Sequence, residues 1–235
     1  MKPKIASFFL ILFCSMLVLP ALAEKEIRDV SKFSKISLNV SGELHLQQGD
    51  RQRVEIVAKS STLEDIVTEV KGGELVIRFK NRNVFWRTFN PGKIEIYVSA
   101  PEIEGLSVSG SGDIIADEQI NSRRMSLAVS GSGKIRLDDL RTDRVKASIS
   151  GSGNLLIGSG GMAEDFDASI SGSGSVKAEN FEAKNVEVHV SGSGNCSIHA
   201  VETLKARVAG SGSVYYSGNP QVDSSVSGSG RVRKR

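Results

Sequence analysis

The chain has 235 residues, with 30 basic against 27 acidic side chains, 24 glycines and two cysteines. That length suits one long domain or two small ones. The mixed charge gives no basic surplus from which to argue a nucleic-acid partner, and two cysteines are too few for a disulfide-built scaffold.

Residues 1–23 read as a cleaved secretory signal. Lys2 and Lys4 precede an apolar run from Ile5 to Leu19, and Ala21-Leu22-Ala23 supplies the small residues of a cleavage site. The run is short for a membrane span, and no later segment approaches the roughly 18 apolar residues that a span needs. Cleavage removes Lys2, Lys4 and Cys14, leaving 28 basic against 27 acidic residues and Cys196 alone. An exported chain without a disulfide must be held by packing. The expected location is periplasmic, outer-surface or secreted.

Residues 24–105 alternate apolar and polar side chains in short runs. These are 35–40 (KISLNV), 43–48 (ELHLQQ), 53–58 (RVEIVA), 74–79 (ELVIRF) and 93–99 (KIEIYVS). Gly42, Gly49-Asp50, Gly72-Gly73 and Pro91-Gly92 punctuate them, as turns punctuate strands. The segment is read as a β-strand cap continuous with the C-terminal part of the chain, with Ser41-Gly42-Glu43 as a degenerate corner.

From 106 onward one phrase recurs. SGSG starts at Ser109, Ser130, Ser150, Ser171, Ser191 and Ser227, with AGSG at Ala209, at spacings of 21, 20, 21, 20, 18 and 18 residues. A fixed period of this length signals a solenoid, in which stacked coils bury a core that no single coil buries alone. Inward positions before the motif are apolar at period two, as in Val145, Ala147 and Ile149 or Val186, Val188 and Val190. The phase continues through the motif to Ile135 and Leu137 or Cys196 and Ile198. The expected fold is therefore all-β: a single-stranded β-helix (β-solenoid) of about 20-residue coils, residues 106–235, behind the cap.

The motif glycines are the expected corners: Gly110 and Gly112, Gly131 and Gly133, Gly151 and Gly153, Gly172 and Gly174, Gly192 and Gly194, Gly210 and Gly212, Gly228 and Gly230. By phase both glycines of a motif fall on the inward register, where only glycine accepts a sharp bend. Leu140, Phe181 and Val201 mark a third short wall, and 158–162 a loop on one coil.

The combination of ISLNVSGELHLQQGD, GGELVIRFK, IEIYVSAPEIEGLSVSGSGDI and repeated SGSG resembles the head-GIN domain family, also called putative auto-transporter adhesins. The resemblance covers nearly all of the chain after the signal. It implies an exported β-helical domain without an assigned biochemical role, and it brings no catalytic residues. The sequence ends at RVRKR soon after the last motif, so an outer-membrane barrel within it is not expected.

Chemistry is sparse. No P-loop or dinucleotide fingerprint follows a strand, and no calcium-binding β-helix repeat is present. His189, Cys196 and His199 alternate outward, inward and outward, so they do not converge as zinc ligands must. Asp138-Asp139 and the set Glu164, Asp165 and Asp167 read as solvated turn charges. The outlier is 78–93, RFKNRNVFWRTFNPGK, which interleaves Arg82 and Arg87 with Phe85, Trp86 and Phe89. It reads either as a cover for the open end of the solenoid or as a binding loop for a protein or glycan.

The leading expectation is a non-enzymatic structural or interaction module of the cell envelope, without metal or cofactor. A carbohydrate-binding or carbohydrate-active protein is the alternative, to be recognised by a carboxylate pair in a coil-face groove. A homo-oligomer hiding the last coil is a third class.

Overall fold

The computed structural model describes residues 23–80 and 91–235. Its repeat region is a parallel β-solenoid of about six turns, the turns bounded by the seven motif corners. The strands that follow or contain corners are β8 (Gly105–Gly110), β9 (Asp113–Gly131), β10 (Lys134–Gly151), β11 (Asn154–Gly160), β12 (Ala163–Gly172), β13 (Ser175–Gly192), β14 (Asn195–Gly210), β15 (Ser213–Ser217), β16 (Gln221–Ser227) and β17 (Arg231–Lys234). Each pairs in parallel with the equivalent stretch one motif later. Val145 thus aligns with Phe166, Phe166 with Val186, and Val186 with Leu204. All four side chains are buried. Period-two alternation therefore becomes columns of like residues, each column one line of core.

At each corner the two glycines have different tasks. Gly131, the first of its motif, adopts φ +113° and stands half-exposed at the bend itself. Gly133, the second, is buried: a Cβ there would lie 2.2 Å from the Gly112 carbonyl oxygen and 2.6 Å from Val108 Cγ1. Phase alone put both inward; the bend rotates the first one out. The amides of Ser132 and Gly133 both donate to the Gly110 carbonyl, at 2.8 and 2.9 Å, and Lys134 N–H donates to Gly112 O at 3.2 Å. The same pair of donors converges on Gly131, Gly151, Gly172 and Gly192 in the following turns.

The third wall differs in one detail from the sequence reading. Leu140 and Phe181 are buried, but in the next turn Ala200 is the buried residue and Val201 is only half-buried. Gly160 carries no side chain because its Cβ would meet Leu140 O at 2.0 Å and the Phe181 ring at 2.9 Å. Phe181 fills that place and packs against Phe166, ring centroids 6.0 Å apart. The interruption expected over 158–162 is narrower than the sequence implied, since β11 runs to Gly160.

The leading segment does not stack in chain order. Strands β2 (Lys35–Asn39) and β3 (Glu43–Gln48) form an inner rung. On one side they pair with β8 and β9, and on the other with β6 (Glu74–Phe79) and β7 (Glu95–Ala100). The chain thus builds the second rung, goes outward to build the first, then crosses back to continue the rod. Ser41-Gly42-Glu43 lies in the corner column: Ser41 Oγ is 3.3 Å from Ser111 Oγ, and Glu43 aligns with Asp113.

Antiparallel strands finish this end. β4 (Arg53–Lys59) lies along β7, β1 (Ala23–Arg28) along β4, and β5 (Ile66–Lys71) along β6. The one-and-a-half-turn helix α1 (Ser60–Asp65) links β4 to β5 with Thr62 and Leu63 buried. Thr62 Oγ1 donates to Pro91 O at 2.8 Å, and Arg28 Nη2 donates to Leu63 O at 2.8 Å. Neither α1, β1 nor β5 was foreseen; each is short, and α1 carries no capping side chain.

Candidate functional site

Outward positions form columns as regular as the inward ones. On the wall preceding the motif, the central column runs Glu74, Lys35, Gly105, Ser126, Lys146, Asp167, Glu187, Lys205 and Asp223. Two residues earlier in each turn stand Arg124, Arg144, Asp165, Asn185, Thr203 and Gln221. Two residues later stand Ser107, Ala128, Ser148, Ser169, His189, Arg207 and Ser225. A groove of about 710 Å³ follows this face from Lys35 to Lys205.

The charges sort by height along the rod. Arg124, Arg144 and Lys146 occupy neighbouring turns, and Asp165, Asp167 and Glu187 the next two. Arg144 Nε reaches Asp165 at 3.0 Å, Lys205 Nζ reaches Glu187 at 2.9 Å, and Arg207 Nη2 reaches Asp223 at 2.8 Å. His189 Nε2 adds a second contact to Glu187 at 3.0 Å. Hydrogen bonds from Lys205, then His189, hold the Glu187 carboxyl below the usual range. Asp167 goes the other way: partial desolvation, then the charges of Glu187 and Asp165, raise its carboxyl above the ordinary value. Among the described residues neither Asp167 nor Lys146, its neighbour one turn back, has an ion pair.

The face therefore holds a carboxylate pair on adjacent turns, Asp167 and Glu187, which sequence reading placed in a turn or did not single out. Asp165 and Asp167 stand in strand β12, on one face and two residues apart. The other acidic pair divides. Asp138 takes two bonds from Arg136 Nη1, at 2.9 and 2.8 Å, and Asp139 Oδ2 accepts from Gln119 Nε2 at 3.0 Å.

Cys196 is fully buried, and burial pushes its thiol up to about 12. His189 is exposed and His199 half-buried. Among the described residues no group of three or more His, Cys, Asp or Glu side chains is arranged to hold a metal ion. Arg82, Phe85, Trp86, Arg87 and Phe89 lie outside the described residues. No helix among the described residues is long and apolar enough to cross a membrane, which leaves β-barrel spanning unaddressed.

Capped at one end by antiparallel strands and repeating one corner seven times, the molecule is a parallel β-solenoid that displays fixed ladders of polar side chains. The chain belongs to the family described as "Putative auto-transporter adhesin, head GIN domain", whose model matches residues 32–220. That family is adhesin-like, which goes with an exported or cell-envelope protein. No curated protein matches the chain. Among solved structures it is similar to a putative adhesin from Bacteroides fragilis, with 22% identity, TM-score 0.82, and coverage of 91% of this chain and 97% of that one. A putative lipid binding protein from Parabacteroides distasonis shares 24% identity, TM-score 0.73, with the same coverage. A putative adhesin from Parabacteroides merdae shares 21% identity, TM-score 0.71, over 91% and 96%. At these identities the likeness speaks for the fold.

Proposed function

We propose that the chain is an exported, non-catalytic interaction module that holds a partner protein or glycan at the cell envelope. The observation that carries this reading is the state of the groove carboxylates. Asp165 is tied to Arg144, and Glu187 to both Lys205 and His189. Hydrolysis of a glycosidic bond needs two carboxyl groups free to act on opposite sides of one bond. Here one of three is unpaired, and the ladder geometry that fixes all of them suits recognition. Ligand contact is assigned, on composition, to Arg82, Phe85, Trp86, Arg87 and Phe89, since aromatic and arginine side chains dominate binding hot spots. The fold neighbour described as lipid binding adds one class to the screen.

The test is a glycan array and a vesicle co-sedimentation assay comparing wild type with Trp86→Ala and Phe89→Ala. Binding by wild type that drops at least tenfold in the variants supports the reading. No binding to either probe, or equal binding by all three proteins, refutes the assignment of the 82–89 stretch.

A second reading, a carbohydrate-active enzyme, is favoured by Asp167 beside Glu187, since a raised and a lowered carboxyl are what an acid and its partner require. Release of reducing ends from a polysaccharide panel, abolished by Asp167→Asn, would establish it. No release from any substrate disposes of it.

A further inference from the structure

From Lys35 to Asp223, the central column of the charged face sets each charge opposite either the other sign or a neutral residue when it is reflected about one line across the rod. The line lies between the turn of Lys146 and the turn of Asp167; Glu74, one position beyond Lys35, has no counterpart past Asp223 among the described residues. Counting outward from there, Lys146 mirrors Asp167, Ser126 mirrors Glu187, Gly105 mirrors Lys205, and Lys35 mirrors Asp223. In the preceding column Arg144 mirrors Asp165 and Arg124 mirrors Asn185. In the following column Ser148 mirrors Ser169, Ala128 mirrors His189, and Ser107 mirrors Arg207. No position meets its own sign, and three meet the opposite one.

We propose that this face is a docking surface for a second copy of the chain, the two rods lying side by side and antiparallel. A two-fold axis parallel to the strands, passing between the Lys146 and Asp167 turns, brings each position opposite its mirror. Lys146 of each copy then meets Asp167 of the other, and Lys35 of each meets Asp223. Lys146 and Asp167, like Arg124, are charges of this face that the single chain leaves without an ion pair among the described residues; Arg124 meets the neutral Asn185. Lys35 likewise has none there. Gly105 contributes by absence: a Cβ there would lie 3.2 Å from Lys35 Cγ, so the bare backbone lets that side chain lie across it.

The pattern also selects its register. Moving the axis one turn toward the N-terminal end sets Arg124 against Arg144. Moving it one turn the other way sets Asp167 against Glu187. An axis along the rod would place every charge of the central column against itself. Like charges in apposition are the means by which interfaces reject wrong partners.

The size of the face sets the strength. The eight column positions from Lys35 to Asp223, seven steps of about 4.8 Å, span about 34 Å, and three columns about 13 Å, so each copy covers about 450 Å². Doubled, that falls below the roughly 1,200–2,000 Å² of a standard stable interface. The pair is therefore weak, assembled by charge, and screened by salt.

Sedimentation velocity on the mature chain, from about 10 µM to about 1 mM at low and high salt, tests this against the size expectation. Wild type is expected to dimerise at the upper concentrations, with at least tenfold weaker association at 0.5 M salt. Lys146→Glu alone and Asp167→Lys alone are each expected to stay monomeric, because symmetry places the repulsion twice in each homodimer. Mixed in equal amounts, the two variants are expected to recover the wild-type dimer, since one Lys146–Asp167 contact is then native and the other is restored with reversed sign. Circular dichroism matching wild type shows that the variants are folded. A wild type that is monomeric throughout overturns the proposal and leaves the face to a foreign partner. So does a dimer that neither single variant weakens, or a mixture that fails to restore it.

Discussion

Replacing Gly133 with alanine tests the corner directly. The added Cβ would stand 2.2 Å from the Gly112 carbonyl oxygen and 2.6 Å from Val108 Cγ1. Carbon contacts settle near 3.5–4.0 Å, so the two turns must part by about 1 Å at this corner. The bonds from Ser132 and Gly133 to Gly110 O, and from Lys134 to Gly112 O, start at 2.8, 2.9 and 3.2 Å. Parting the turns carries them to or beyond the range in which hydrogen bonds hold. Each is worth about 1 kcal/mol, and overpacking costs about 1–3 kcal/mol more. With some relaxation the loss is about 4 kcal/mol, or about 8–16 °C in Tm for a domain of this size. The neighbour Ser132 is exposed, and Ser132→Ala should stay within about 0.5 kcal/mol of wild type. Calorimetry on both variants decides the matter. If Gly133→Ala melts within about 2 °C of Ser132→Ala, the close-packed corner is not what holds the turns together.

Burial and charge give two more expected outcomes. Cys196, with its thiol pushed up to about 12, should not react with a thiol reagent at pH 8 while folded, and should react fully in denaturant; rapid labelling of the native chain would contradict its place in the core. Asp167 has a folded-state pKa raised above 3.8, so it favours the folded state when protonated, and that contribution is lost as pH rises through the raised value. At pH 7 and low concentration Asp167→Asn should therefore melt slightly above wild type, by less than about 0.5 kcal/mol given solvent screening, with the gap closing below pH 3.8. A variant that melts lower at pH 7 would mean that the carboxylate has a stabilising partner.

What the sequence made legible was whatever the period repeats. The SGSG spacing locates every corner, and alternation locates the core columns through Val145, Phe166, Val186 and Leu204. The same alignment, applied to the residue four before each motif, lines up Ser126, Lys146, Asp167, Glu187, Lys205 and Asp223. The charged face was therefore readable too, but only by comparing outward positions between turns. Read locally, Asp165 and Asp167 look like turn acids because Gly160 and Gly161 precede them. The leading segment was less legible for a physical reason. Its strands are recognisable one at a time, yet their stacking order departs from chain order. Alternation cannot tell the antiparallel β4 from the parallel β3.

The two ends of the rod are closed by different means, and this bears on where copies of the chain meet. At the N-terminal end α1, β1, β4 and β5 supply covalently attached cover. At the other end the inward columns change character. Ser224 follows Ala206, and Lys234 follows Ile198 and Tyr216, while Val222 and Val226 are left 39% and 41% exposed. Arg235 lies 4.8 Å over the Tyr215 ring and pairs with Glu179, and Lys234 Nζ donates to Asn219 Oδ1 at 2.5 Å. Arg231, Arg233 and Lys234 crowd the last edge with one sign of charge. Two such edges repel, which is how exposed strand edges avoid pairing end to end. Polar residues inside the last turn and cations along its edge favour an end that faces water. Association, where it occurs, is then directed to the side of the rod, where a basic block and an acidic block lie next to each other.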